Sequence, residues 1–239
     1  MTKKLLQLMI FAVIAAPFFA YADSAEDMLK RSAPVLSKAV KLDKSRSIVM
    51  LGANAKTVLV SDNPRYVVQG QLYDMWSNEP INNQAELTAS LQKLPLEKLR
   101  KNKPMLETTL YADKQKTLTI FINPFAENTK DVTHILSKYA DMYRLNFLFF
   151  AETTDKDIKQ LLQFACVVRS NNAQAVINQL KSNTVSLTQQ TCEQKTVIES
   201  YGLINFLGIT TSPTLIASND VLSVGMPKRL LPWLAKNMQ

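Results

Sequence analysis

The stretch spanning residues 117–132 constrains the fold more than any other part of the chain. It reads TLTIFINPFAENTKDV. Leu118, Ile120 and Ile122 alternate with Thr119 and Phe121, a β-branched and aromatic run at the period of a strand. Asn123-Pro124 ends the strand, because proline has no N–H to give a ladder. A helix follows, with Val132, Ile135, Leu136 and Tyr139 at i, i+3, i+4 and i+7 forming one apolar face. Asn128 or Thr129 is suited to cap its first turn. Downstream, RLNFLFF carries an apolar run over 145–150, the mark of a buried parallel strand. Strand, helix and buried strand make a βαβ unit.

The remainder of this half alternates in the same way. Residues 155–173 read as a helix with Ile158, Leu161, Leu162 and Ala165 inward, and Val176, Ile177 and Leu180 mark a second helical piece. Residues 181–190 are polar and loop-like. A helix over 193–207 presents Val197, Ile198, Tyr201 and Ile204 and stops at Gly208. A strand then starts at Pro213, the turn Ser218-Asn219-Asp220 leads to a strand at 221–224, and a last helix carries Leu230, Leu231, Trp233 and Leu234.

The first half is different. Residues 23–41 read as a helical lead-in interrupted at Pro34, with the capping-box-like pair Ser24 and Asp27. Short strands are predicted at 48–51, 57–60, 66–69 and 71–75, with a turn at Ser61-Asp62-Asn63-Pro64. Asn78-Glu79-Pro80 ends this unit. A unit of roughly 60 residues has a thin core, so burial against a partner is a natural expectation. From Gln84 the leucines Leu87, Leu91, Leu94, Leu96 and Leu99 follow a helical spacing broken by Pro95, and the charges around them suggest a linker helix over 84–104.

The beginning of the chain has the three parts of an export signal: Lys3 and Lys4, an apolar run over 5–19, and Ala20-Tyr21-Ala22 as a cleavage site. The apolar run is short for a membrane span, which needs about 20 residues. Cleavage after Ala22 predicts a periplasmic protein with no membrane contact once the leader is gone. The net charge is +8. Two of those charges belong to the leader. The basic residues are spread along the chain, apart from a cluster over 93–103, and no Arg–aromatic alternation is present. A solvated basic surface is therefore expected rather than nucleic-acid binding.

There are two cysteines, Cys166 and Cys192, and one histidine, His134. An even cysteine count in an exported chain points to a disulfide, the alternative being two free buried thiols. A bridge over that separation is worth about 3 kcal/mol on the chain-entropy model. Two separated cysteines and one histidine cannot build the usual zinc site, so no metal or cofactor is expected.

In its order of elements, the chain resembles the DsbC/DsbG family of periplasmic disulfide isomerases. The residues that carry the likeness are YVVQGQLYD at 66–74, Leu118 to Phe121 followed by Asn123-Pro124, Gly208 to Pro213, Ser218-Asn219-Asp220 and Gly225. The resemblance implies an α+β chain. Its parts are a small antiparallel dimerisation domain over 23–83, the linker helix over 84–104, and a thioredoxin-like domain with a helical insertion over 105–239. It also implies a homodimer through 23–83 and a cleft that holds unfolded or partner polypeptide against Ser212 and Pro213. Cys166 and Cys192 fall where the family keeps a second, non-catalytic disulfide.

The chain departs from the family at its catalytic motif. Ala126, Glu127, Asn128 and Thr129 occupy the four Cys-x-x-Cys positions. Isomerisation needs a thiolate that attacks a disulfide sulfur. Alanine cannot do this, and the threonine hydroxyl is a poor nucleophile without a base beside it. Glu127 suits helix capping, and His134 reads as a solvated surface histidine. The expected function is therefore a redox-inactive relative that binds unfolded polypeptide, as a chaperone or as part of an export or conjugation apparatus. The alternative is a thiol:disulfide interchange protein that uses Cys166 and Cys192.

Overall fold

The computed structural model describes residues 36–42, 47–52, 57–60 and 67–238, apart from 102, 152–154 and 186. The leader, the residues before Leu36 and the turn at 61–64 lie outside the described residues. The chain divides into two compact units. One comprises 1–73 with 80–86, and the other 74–79 with 87–239.

In the first unit, β1 (Leu36–Leu42), β2 (Ser47–Gly52), β3 (Thr57–Val60) and β4 (Val67–Gly70) form an antiparallel meander in that order. The register is set by pairs such as Val40 with Val49, Val49 with Leu59, and Leu59 with Val68. The first strand corrects the helical lead-in: residues 36–41 are extended. LSKAVKL carries the β-branched Val40 into a ladder with a β-rich partner. The short strands β5 (Leu72–Asp74) and β6 (Glu79–Ile81) pair across a turn in which Asn78 takes φ 60°. Asn78-Glu79-Pro80 thus leads the chain into the short strand β6.

The second unit is built on a five-stranded sheet. Its strands are β7 (Glu107–Leu110), β8 (Thr117–Ile122), β9 (Arg144–Phe149), β10 (Thr214–Ile216) and β11 (Leu222–Val224). They lie in the order β11-β10-β8-β9-β7, with only β8 and β9 parallel. The helices in chain order are α1 (Gln84–Leu91), α2 (Leu96–Arg100), α3 (Thr129–Ser137), α4 (Asp155–Ser170), α5 (Ala173–Ser182), α6 (Gln194–Leu207) and α7 (Leu230–Asn237). A βαβ unit extended by an antiparallel hairpin and a final helix is the thioredoxin arrangement. Helices α4 and α5 form the insertion.

The period-2 pattern of β8 separates two cores. Leu118, Ile120 and Ile122 face the cluster that includes Phe147, Phe149, Phe164 and Leu136. Phe121 faces the other, with Leu148, Ile204 and Ile216. Each such side chain contributes about 1.5–3 kcal/mol on burial. The segment read as a linker helix forms two helices separated around Pro95, the break expected there. Leu94 and Leu96 belong to the second cluster. Leu94 N–H donates to Asp220 O at 2.8 Å and Leu222 N–H to Gln92 O at 2.7 Å, so 92–94 covers the edge of β11.

The buried face of α3 also differs from expectation. Thr129, Val132, Thr133 and Leu136 are buried, whereas Ile135 is 38% exposed. Ile135 stands roughly 110° around the axis from the centre of that face. Thr133 fits among apolar neighbours because its hydroxyl donates to Thr129 O at 2.7 Å. Replacing Thr133 by valine keeps the shape and removes a back-bonded hydroxyl, so denaturant unfolding should show a change below about 1 kcal/mol.

Candidate functional site

The loop between β8 and α3 meets the residue that precedes β10. The cause is topological: β8 and β10 are neighbours, with Phe121 opposite Thr214. The chain leaving β8 at Asn123 therefore faces the chain entering β10 at Ser212-Pro213, whose peptide bond is cis.

Three ties hold this junction. Asn123 N–H donates to Ser212 Oγ at 3.0 Å. Asn128 Nδ2 donates to Ser212 O at 2.9 Å. Thr129 Oγ1 donates to Asn123 O at 2.5 Å. Asn123 also accepts from Phe125 N–H through Oδ1 at 2.9 Å, an Asx turn of the kind Asn-Pro favours. Thr129 is buried, and Asn128 and Glu127 are exposed. Asn128 stands at the N-cap position of α3, but its side chain does not cap the helix. The amide reaches across to β10 instead.

This geometry decides what the four positions can do. Ala126 has no reactive group. The Thr129 hydroxyl is committed to a backbone carbonyl and has no base against it, so it is a structural donor. Glu127 makes no hydrogen bond or ion pair among the described residues. His134 is exposed on the next turn of α3. The backbone of Ser212 also keeps unused polar groups. Its N–H donates to nothing among the described residues, and its carbonyl has one acceptor direction left beside Asn128. Pro213 is buried, and its carbonyl already accepts from Gly225 N–H at 2.9 Å.

Both cysteines of the chain are in one disulfide, Cys166–Cys192, with Cα atoms 4.9 Å apart. Cys166 is 5% exposed near the end of α4, and Cys192 is half-buried before α6. The same insertion supports the loop through a ring contact. Phe164 of α4 stands edge-on to Phe125 at 6.0 Å and to Phe149 at 5.0 Å. No group of three or more His, Cys, Asp or Glu side chains placed to hold a metal occurs among the described residues.

The structure thus brings Asn128, Thr129, Ser212 and Pro213 together, with Ala126 and Glu127 in the same loop. Sequence reasoning missed Asn123 and Phe164, and it gave Asn128 the wrong partner. An Asx turn was legible in Asn-Pro. The reach from Asn128 to Ser212 spans 84 positions and leaves no trace in local spacing. Removing that amide by Asn128→Ala should leave stability within about 1 kcal/mol, because Asn128 is exposed and the freed carbonyl can turn to water. Thr129→Val should cost about 1–2 kcal/mol, since it strips a buried donor from Asn123 O. Chemical denaturation of the two variants checks the contrast.

No protein-family model matches the sequence, and neither does any curated protein. Among solved structures, the chain is similar to a disulfide interchange protein from Neisseria gonorrhoeae, at 16% identity and a TM-score of 0.45, covering 56% of this chain and 95% of that one. It is similar to DsbG of Helicobacter pylori at 13% identity and a TM-score of 0.42, over 82% of this chain and 99% of that one. The catalytic domain of Proteus mirabilis ScsC is similar at 15% identity and a TM-score of 0.41, over 58% and 91%. Strand order and connectivity, rather than these likenesses, identify the thioredoxin fold here.

Proposed function

We propose that this chain is an exported, periplasmic thioredoxin-fold protein that holds extended or unfolded polypeptide without thiol chemistry. One observation carries the reading. The loop that faces Ser212-Pro213 has no sulfur and is tied shut by Asn123, Asn128 and Thr129, while the Ser212 N–H has no partner among the described residues. A backbone donor and a half-used acceptor on one residue match the N–H and C=O of an extended peptide. Residues 23–83 pair two copies, and the guest is an unfolded client or a subunit of an export or conjugation apparatus. A fold alone does not assign a function, so the claim rests on the loop.

The test runs two assays side by side. Suppression of aggregation of a chemically unfolded client is expected at near-stoichiometric protein. Rescue of scrambled ribonuclease is expected at the buffer rate. Isomerase turnover well above that rate overturns the reading.

The competing reading is thiol:disulfide interchange through Cys166 and Cys192, and the half-buried Cys192 is what favours it. Its partner Cys166 is enclosed. The redox potential separates the two readings. A bridge below about −300 mV is structural, and one near −200 mV supports the enzyme.

A further inference from the structure

The sheet face that carries Phe121 and Leu148 turns polar at the other end of β8, away from the loop. There Thr109, Asn146 and Thr119 lie side by side on three strands, with Arg144 beside Thr117 in the next row. They floor a cavity of about 580 Å³, walled by α2 and by residues 216–220. That volume falls in the range of roughly 300–1,000 Å³ typical of small-ligand sites.

Half of the cavity is closed within the fold. The Glu107 carboxylate accepts from Arg100 Nη1 at 3.0 Å and from Asn146 Nδ2 at 2.9 Å. Asn146 Oδ1 accepts from the Thr109 hydroxyl at 3.0 Å. Arg100 Nε donates to Glu97 at 3.0 Å.

The other half is open. Arg144 Nη2 donates to Ala112 O, but the buried Nε has no partner. Thr119 is 7% exposed, and neither its hydroxyl nor that of Thr117 makes a hydrogen bond among the described residues. Asp220 is half-buried, and its carboxylate has no hydrogen bond or ion pair among those residues. Burial holds its carboxyl above the ordinary carboxylate range, against the pull of Lys98 and Lys93. The Nε itself is enclosed, but the Arg144 guanidinium lines the cavity and no carboxylate pairs with it among the described residues, so a ligand carboxylate can.

We propose that this cavity binds a small zwitterion, a free amino acid or a di- or tripeptide, whose carboxylate meets Arg144, Thr117 and Thr119 and whose ammonium meets Asp220. The unused groups have opposite signs and stand on either side of β8, Arg144 on β9 and Asp220 in the turn after β10, and β9 and β10 are two strand spacings apart, about 10 Å. With two side chains reaching inward, that span fits one or two residues. Glu97, Glu107 and Asp220 on the same walls disfavour a dianion such as phosphate. This site is independent of the Ser212 loop.

Calorimetric titration of the mature chain with free amino acids, di- and tripeptides, acetate, ethylammonium and phosphate tests the proposal. Saturable binding of amino acids or peptides is expected, with acetate and ethylammonium at least about tenfold weaker. Amino acids binding alone identify a free amino acid as the ligand, and peptides binding alone identify a free short peptide. Asp220→Asn and Arg144→Gln should each weaken binding about tenfold or more, and Thr119→Val several-fold with an unchanged melting temperature. The Thr119 and Asp220 side chains make no hydrogen bond or ion pair among the described residues, so these variants keep the test valid if Arg144→Gln fails to fold. No saturable binding of either class below about 10 mM overturns the proposal. So does phosphate or acetate binding as tightly, or Thr119→Val and Asp220→Asn binding like wild type.

Discussion

Replacing Phe164 by alanine should lower the unfolding free energy by about 3–5 kcal/mol, the range for a large aromatic truncated in a closed core. Phe164 has no exposed surface. Its ring is edge-on to two others, Phe149 at 5.0 Å and Phe125 at 6.0 Å. Edge-to-face pairs add about 0.5–1.5 kcal/mol beyond the buried area. The three rings join the insertion, the end of β9 and the loop after β8. The loss should therefore reach the loop as well as the core. Guanidinium unfolding checks it, with a shifted midpoint and an unchanged slope expected. A loss under about 1 kcal/mol would mean that the insertion is not packed on the sheet as described.

Removing the bridge by Cys166→Ala together with Cys192→Ala should cost about 3 kcal/mol. The bonded residues are 26 positions apart, and the cross-link restrains the loop between α5 and α6 in the unfolded chain. The Cys166 sulfur lies against Leu162 O and Gln190 O, away from the ties that hold Ser212. Below its lowered melting temperature the double variant should still hold unfolded polypeptide. Thermal unfolding and an aggregation assay on the same sample check both halves. Loss of holding in a folded double variant would assign the sulfurs a functional part.

The sequence was most legible where period and breaker coincide. β8, α3 and β9 emerged from alternation, Asn-Pro and an apolar run, because both faces of these strands are buried and few other conformations satisfy them. The helical insertion and the X-Pro entry to β10 were readable for the same reason. Residues 36–41 failed because LSKAVKL carries both a helical and a strand pattern, and only the partner strand decides between them. Ile135 failed because two threonines bury as well as isoleucine once one hydroxyl returns to its own helix. At the site, the missing sulfurs were plain in the composition. The cross-tie from Asn128 and the polar floor under β8 depend on residues brought together by topology, and no local pattern encodes them.

The grasp of polypeptide proposed for this chain is backbone recognition at Ser212 and needs no sulfur. Its most direct measurement is the affinity for an unfolded client whose cysteines are all carboxymethylated, compared with the same client in reduced form. Equal affinities, with no adduct on non-reducing gels, are the predicted result. Binding confined to the reduced client, with a mixed disulfide trapped at Cys166 or Cys192, would contradict it.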